Sequence, residues 1–257
     1  MHHNGHRADG LGRRVVVTGM AGFSPVGNDW DTIKTRLQRG ESGIRHLPEW
    51  DVYDGLNTRL GAPVEDFSLP AHYHRKALRS MGRGARMATR ASELALEDAG
   101  LLDSDLLGSG EMGIAYGASA GEPDAVADFG NMLINKSTDG LNANSYIRMM
   151  AHTAPVNIGV FLGLRGRIHT TSSACTSGSQ GIGYAYEAIR FGRQKAMIAG
   201  GCEELSASEA AVFDTLFATS TRNDTPGATP RPFDRDRDGL VIGEGAGSLI
   251  LEDLEHA

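Results

Sequence analysis

Cys175 is the residue of this chain whose setting best suits covalent chemistry. It lies in TTSSACTSGSQGIG, Thr170 to Gly183. Here a strand-like run, Arg167 to Ser172, meets a helix-like one in which Ile182, Tyr186 and Ile189 recur at i, i+4 and i+7. A thiol at a helix start stands against the positive end of the aligned peptide dipoles, which favours thiolate over thiol. Ser173, Ala174, Thr176, Ser177 and Gly178 add no bulk, so a substrate can approach the sulfur. The same placement aims backbone N–H groups, that of Cys175 among them, at an oxygen developing on a bound thioester carbonyl. Together these features describe a nucleophile that accepts an acyl group. The competing interpretation is an inert thiol packed in an apolar corner. That interpretation suits Cys202, in AGGCEE, which has no helix start.

A second chemical feature is charge. HYHRKALRSMGR, residues 72–83, gathers Arg75, Lys76, Arg79 and Arg83 on what reads as a surface helix, in a chain of net charge −7 and pI near 5.7. Most charge runs are solvated faces. The acidic total gives no support to a nucleic-acid or anionic-membrane surface, so an acidic partner needs a local basic patch such as this one. With two cysteines there is no disulfide framework, which points to a reducing, cytoplasmic setting. No stretch approaches the ~20 apolar residues of a membrane span.

The elements that must position these residues alternate. RVVVTG (14–19), GIAYG (113–117), RIHTTS (167–172) and AMIAGG (196–201) suit buried parallel strands. A helix follows Arg83, marked by Met87, Ala91, Leu94 and Ala95 and stopped at Gly100; others are expected over 28–39 and 145–163. The alternation predicts an α/β layered fold. Residues 1–12 read as a disordered leader whose histidines are solvated, and 219–238 as a long loop that clamps distant elements. VVVTGMAGFSPVG has Pro25 where a dinucleotide fingerprint needs its third glycine, and GEGAG (243–247) runs into a strand, SLILE. Both read as tight backbone packing. Neither a cofactor nor a metal is expected.

SSACTSG around Cys175, AGGCEE at 199–204, STRNDTP at 220–226, RPFDRDRDG at 231–239 and GEGAGSLILEDLEHA at 243–257 together resemble the β-ketoacyl-acyl carrier protein synthases, closest to the chain-elongating II type. RVVVTGM and GESGI (40–44) agree with the start of that family. The resemblance runs from about Arg14 to the last residue, in order.

The resemblance implies a thiolase-like fold and a decarboxylative Claisen condensation. An acyl group would pass from a carrier-protein thioester to Cys175. The carbanion left when a malonyl thioester loses carbon dioxide would then attack it, giving a β-ketoacyl product. Arg75, Lys76 and Arg79 match the family's RKxxR segment, which contacts the acidic acyl carrier protein. The strand at 167–172 resembles the family's dimer strand, implying a homodimer or a heterodimer with a related subunit. The family draws two histidines, a lysine and a second oxyanion amide from its second half. The expectation is therefore that residues 13–257 are the N-terminal half, carrying the nucleophile, and that the nine histidines here, His152 in a helix and His169 in a strand included, are structural or on the surface. A non-catalytic partner of the chain-length-factor kind is the alternative, which Cys175 disfavours.

Overall fold

The computed structural model describes residues 12–257, so the expected leader lies outside the described residues except for Gly12. In chain order the strands are β1 (Val15–Phe23), β2 (Arg45–His46), β3 (Leu60–Ala62), β4 (Met112–Gly117), β5 (Ile168–Thr171), β6 (Ala196–Glu203), β7 (Ile242–Gly243) and β8 (Gly245–Asp253). The helices are α1 (Trp30–Gln38), α2 (Arg75–Leu78), α3 (Arg83–Asp98), α4 (Leu106–Ser109), α5 (Pro123–Asn135), α6 (Ala143–Met149), α7 (Thr153–Leu162), α8 (Ser177–Arg190) and α9 (Ala207–Asp214).

The main sheet has the order β1-β8-β6-β4-β5. Alternation along its central strands sorts side chains to opposite faces. Ile114, Tyr116, Ile198 and Ile250 pack with Met87 and Leu96 of α3 and Ile158 of α7. Ala115, Met197, Ala199 and Leu251 pack with Ala185 and Ile189 of α8 on the other side. Helices thus cover both faces, as the α/β layered expectation requires. Each fully buried large aliphatic side chain contributes about 1.5–3 kcal/mol to holding the layers together. A smaller sheet, β2-β3-β7, has its own core of Leu47, Trp50, Leu56 and Ala210.

Three expectations need correction. β4, β5 and β6 are parallel and β1 points the same way, but β1 pairs only with β8, which runs antiparallel to both β1 and β6. An apolar run signals burial and carries no information about direction. β1 and β5 are not buried strands: they are the two edges of the sheet, and Val17 and Ile168 are 50% and 43% exposed. The stretch 145–163 is two helices. An Asn142–Ser145 capping box starts α6, Met150 is extended, and Pro155, lacking the N–H for an i→i−4 bond, lies in the first turn of α7. His152 consequently sits at the N-cap position of α7, with no side-chain cap hydrogen bond, instead of lying within a helix.

Other segments follow the sequence. α3 buries Met87, Ala91 and Ala95, and the chain leaves it through Gly100 at φ +69. β1 continues through the glycines of VVVTGMAGF with a register shift between Val17 and Gly19, and a Cβ on Gly19 would collide with the Ala95 carbonyl oxygen, so this is close packing against α3. The long loop does clamp: Asn223 Oδ1 accepts from Arg59 N at 2.8 Å, Asn223 Nδ2 donates to Asn57 O at 3.0 Å, and Ser220 Oγ donates to Asp238 at 2.8 Å.

Candidate active site

Between the end of β5 and the start of α8 the chain makes a tight elbow with exposed Cys175 at its tip. Ala174, immediately before it, has φ +52, a left-handed conformation that costs a non-glycine residue about 1–3 kcal/mol unless its surroundings hold it there. A frame of hydroxyls does so. Ser173 N donates to Ser177 Oγ at 2.9 Å, Ser177 Oγ donates to Ala174 O at 2.7 Å, and Thr171 Oγ1 donates to Ser177 O at 2.8 Å. Thr176 Oγ1 donates to Ser173 O at 2.9 Å. The Cys175 amide donates to no backbone carbonyl among the described residues, whereas Thr176 N and Ser177 N bond to Ser173 O and Ala174 O. Sequence reading took these residues only as small. Their serine and threonine spacing is the available signal, because such side chains compete for local backbone groups.

Behind the elbow, α8 approaches the sheet through small residues. A Cβ on Gly178 would lie 3.7 Å from Gly201 Cα, and one on Gly181 2.7 Å from Ala115 O. The buried stripe is Gly181, Ala185, Ala188 and Ile189. Of the expected face, Ile189 is buried, but Ile182 and Tyr186 are 38% and 40% exposed. The sheet presents bare glycine backbone there, which leaves no room for large side chains. They turn outward, and Ile182 faces the cleft.

That cleft has a volume of about 1690 Å³ and is bounded by Cys175, Ile182, Met20, Trp30, Val212 and Cys202, with Glu203 and Glu209 at one side. Both thiols border it. Burial pushes the Cys202 thiol far up, and the charges of Glu203 and Glu204 add to this. Cys202 therefore stays protonated, in agreement with its packing assignment. Glu203 accepts from Ser119 N at 2.8 Å and from Ser119 Oγ. Burial raises the Glu209 carboxyl to about 8, with the neighbouring Glu203 charge as a further cause. Glu204 is raised by burial although Gly84 N donates to it at 2.9 Å. This acidic group was missed in the sequence; the CEE triplet beside Cys202 was its only local sign.

The basic residues divide. Arg75 and Lys76 lie on α2, a single turn, and Arg79 caps it; all three are exposed, and their side chains take part in no hydrogen bond or ion pair among the described residues. Arg83 departs from the cluster: it turns inward to Glu244, with Nη2 2.7 Å from Oε1. Two histidines are structural, His72 against Glu93 and His256 against Glu252, each at 2.6 Å. Among the described residues no group of three or more His, Cys, Asp or Glu side chains is arranged to hold a metal ion, and no helix is long and apolar enough to cross a membrane.

The family described as Beta-ketoacyl synthase, N-terminal domain, matches residues 12–257. The 3-oxoacyl-[acyl-carrier-protein] synthase 2 of Vibrio harveyi is 35% identical over 246 residues, 95% of this chain and 59% of its own length. A crystal structure of a beta-ketoacyl synthase from Burkholderia phymatum STM815 superposes with a TM-score of 0.93 at 54% identity, covering 95% of this chain and 60% of that one. A ketosynthase bound to a hexaketide, in complex with its type II polyketide-synthase acyl carrier protein, superposes with a TM-score of 0.77 at 28% identity, over 96% and 59% of the two chains. The thiolase-like architecture is shared, and this chain spans about 59% of the length of the curated relatives it matches.

Proposed function

The chain belongs to the β-ketoacyl synthase family, and on that premise we propose that it carries the acyl-accepting centre of a condensing acyltransferase, with Cys175 as nucleophile. The Cys175 thiolate attacks the carbonyl of an acyl thioester held on acyl carrier protein. The carrier thiolate leaves and takes up a proton, and the acyl group stays on sulfur. In the whole enzyme, loss of carbon dioxide from a malonyl thioester supplies the carbon nucleophile that displaces Cys175 and forms the β-ketoacyl product. Two smaller steps replace one difficult transfer. No described histidine is assigned to the decarboxylation. The single supporting observation is the elbow: an exposed thiol before a fourteen-residue helix, beside its own amide, which donates to no backbone carbonyl among the described residues, at an apolar cleft able to take an acyl chain. That amide is suited to the oxyanion of the tetrahedral intermediate. A partner of the chain-length-factor kind would have no use for such a thiol. Incubation with acyl-loaded carrier protein should leave one acyl mass on Cys175; no adduct, or rapid hydrolysis to free acid, overturns the proposal.

Arg75, Lys76 and Arg79 are the proposed carrier-docking residues. Both chain and expected carrier are acidic, so approach needs a local cationic patch. Reversing all three charges should reduce acylation from the carrier several-fold, with little change for a small thioester. Each exposed pair is worth only about 0.2–1 kcal/mol, so the triple change exceeds any single one. Equal losses on both substrates would sink the docking assignment. The free edge of β5 supports a homodimer, or a heterodimer with a related subunit, paired across a two-fold axis. Light scattering that gives a monomer at micromolar concentration would exclude it. A cytoplasmic setting suits an exposed free thiol.

A further inference from the structure

Arg75, Lys76 and Arg79, unpaired among the described residues, sit on a helix too short to hold itself, since a single turn is unstable alone. What holds it is a cluster the proposed chemistry does not use. Glu93 of α3, only 6% exposed, accepts from both residues that lead into α2: His72 Nε2 at 2.6 Å and Tyr73 OH at 3.0 Å. Arg90, one turn back on α3, pairs with the same carboxylate and balances its charge. The Tyr73 ring stacks on Phe161 of α7, centroids 4.4 Å apart. Beyond α2, Ser80 Oγ donates to Asn157 Oδ1 at 2.6 Å, and Asn157 Nδ2 donates to Ser80 O at 2.9 Å. The basic turn is therefore pinned at both ends onto α3 and α7. Its own carboxylate neighbour is already satisfied, so Arg75, Lys76 and Arg79 remain available to an outside anion.

We infer that Glu93, through His72 and Tyr73, is a positioning residue that holds the α2 turn in the orientation the carrier protein meets. The inference rests on the carrier-docking proposal above. Burial, with the Glu93 charge second, pushes the Tyr73 hydroxyl far up, so it stays a neutral donor to the carboxylate. Three variants test the role: Glu93→Gln, the double variant His72→Ala/Tyr73→Phe, and Tyr73→Phe alone, which keeps the ring on Phe161 and serves if the others fail to fold. In the variants, backbone amides of residues 74–79 should exchange hydrogen on the order of tenfold faster, as expected where a local tether is lost. Affinity for acyl-loaded carrier protein should fall several-fold, while acylation of Cys175 by a small acyl thioester stays unchanged. A merely structural role would lower both acylations together. Unchanged exchange overturns the inference even if the carrier still depends on Arg75, Lys76 and Arg79. Faster exchange with undiminished carrier affinity overturns it equally. Carrier affinity that is unchanged by charge reversal at those three residues, with Glu93 intact, instead removes the docking proposal, and the positioning role with it.

Discussion

Cys175 and Cys202 border the same cleft and carry the same thiol, yet the fold treats them in opposite ways. Cys175 stands free on a left-handed elbow ahead of α8, framed by hydroxyls and small residues. Cys202 lies within β6, where burial and the charges of Glu203 and Glu204 push its thiol up and keep it neutral. The contrast follows position in the backbone: Cys175 is exposed ahead of a helix, whereas Cys202 sits at an acidic strand end that disfavours negative charge.

The largest expected difference is in chemical modification. A limiting thiol electrophile at neutral pH should label Cys175 on the order of 100-fold faster than Cys202. Cys175→Ser should abolish the labelling, and Cys202→Ala should leave it intact. Peptide mass mapping decides the matter, and modification concentrated on Cys202 would invert the comparison.

A smaller effect separates two glycines packed around the Cys175 elbow. A Cβ on Gly117 would lie 2.3 Å from Thr171 O and 2.6 Å from Ser177 Cβ, inside the elbow's frame. Gly117→Ala should cost about 1–3 kcal/mol by overpacking and slow the labelling of Cys175. Gly178→Ala adds its methyl 3.7 Å from Gly201 Cα, an ordinary contact, and should cost less than about 1 kcal/mol. Urea denaturation of both variants tests the contrast; similar losses would mean that the elbow is not the tight part.

The smallest effect concerns the acidic side of the cleft. Burial first, and then the Glu203 charge, raise Glu209 from 4.5 to about 8. Between those values the folded chain holds a proton that the unfolded chain has lost, so stability falls as pH rises. The contribution is fully present below about pH 4.5 and declines up to about pH 8. Glu209→Gln should flatten this slope and raise Tm near pH 8 relative to the parent. An unchanged pH profile in melting experiments would show that the carboxylates do not share a proton.

Much of this arrangement was legible along the chain. The strand before Cys175, the helix after it and the run of small residues between them are local patterns, written in periodicity and residue size. α3 and its Gly100 stop were legible for the same reason, and the helix start just ahead of Pro155 was readable in principle, since a missing N–H is a property of one residue. Five motifs in order pointed to the family, whose match extends over residues 12–257. The left-handed Ala174 was not legible, because alanine gives no sign of positive φ and only the hydroxyls around it hold the turn.

Sequence by itself therefore determined which cysteine stands at a strand–helix junction, the alternation of elements and the local excess of positive charge. Tertiary structure alone decided that β1 runs antiparallel to β8, that Ile182 and Tyr186 turn away from the sheet, and that Arg83 leaves the basic cluster for Glu244. It also brought Glu209 to Glu203 and Glu204, and placed Glu93 beneath the turn that carries Arg75. The physical reason is separation along the chain. A helix dipole or a side-chain period acts over a few residues, whereas Arg83 meets Glu244 161 residues away and Ser119 meets Glu203 84 residues away, and only packing of the completed layers brings such groups within hydrogen-bond reach.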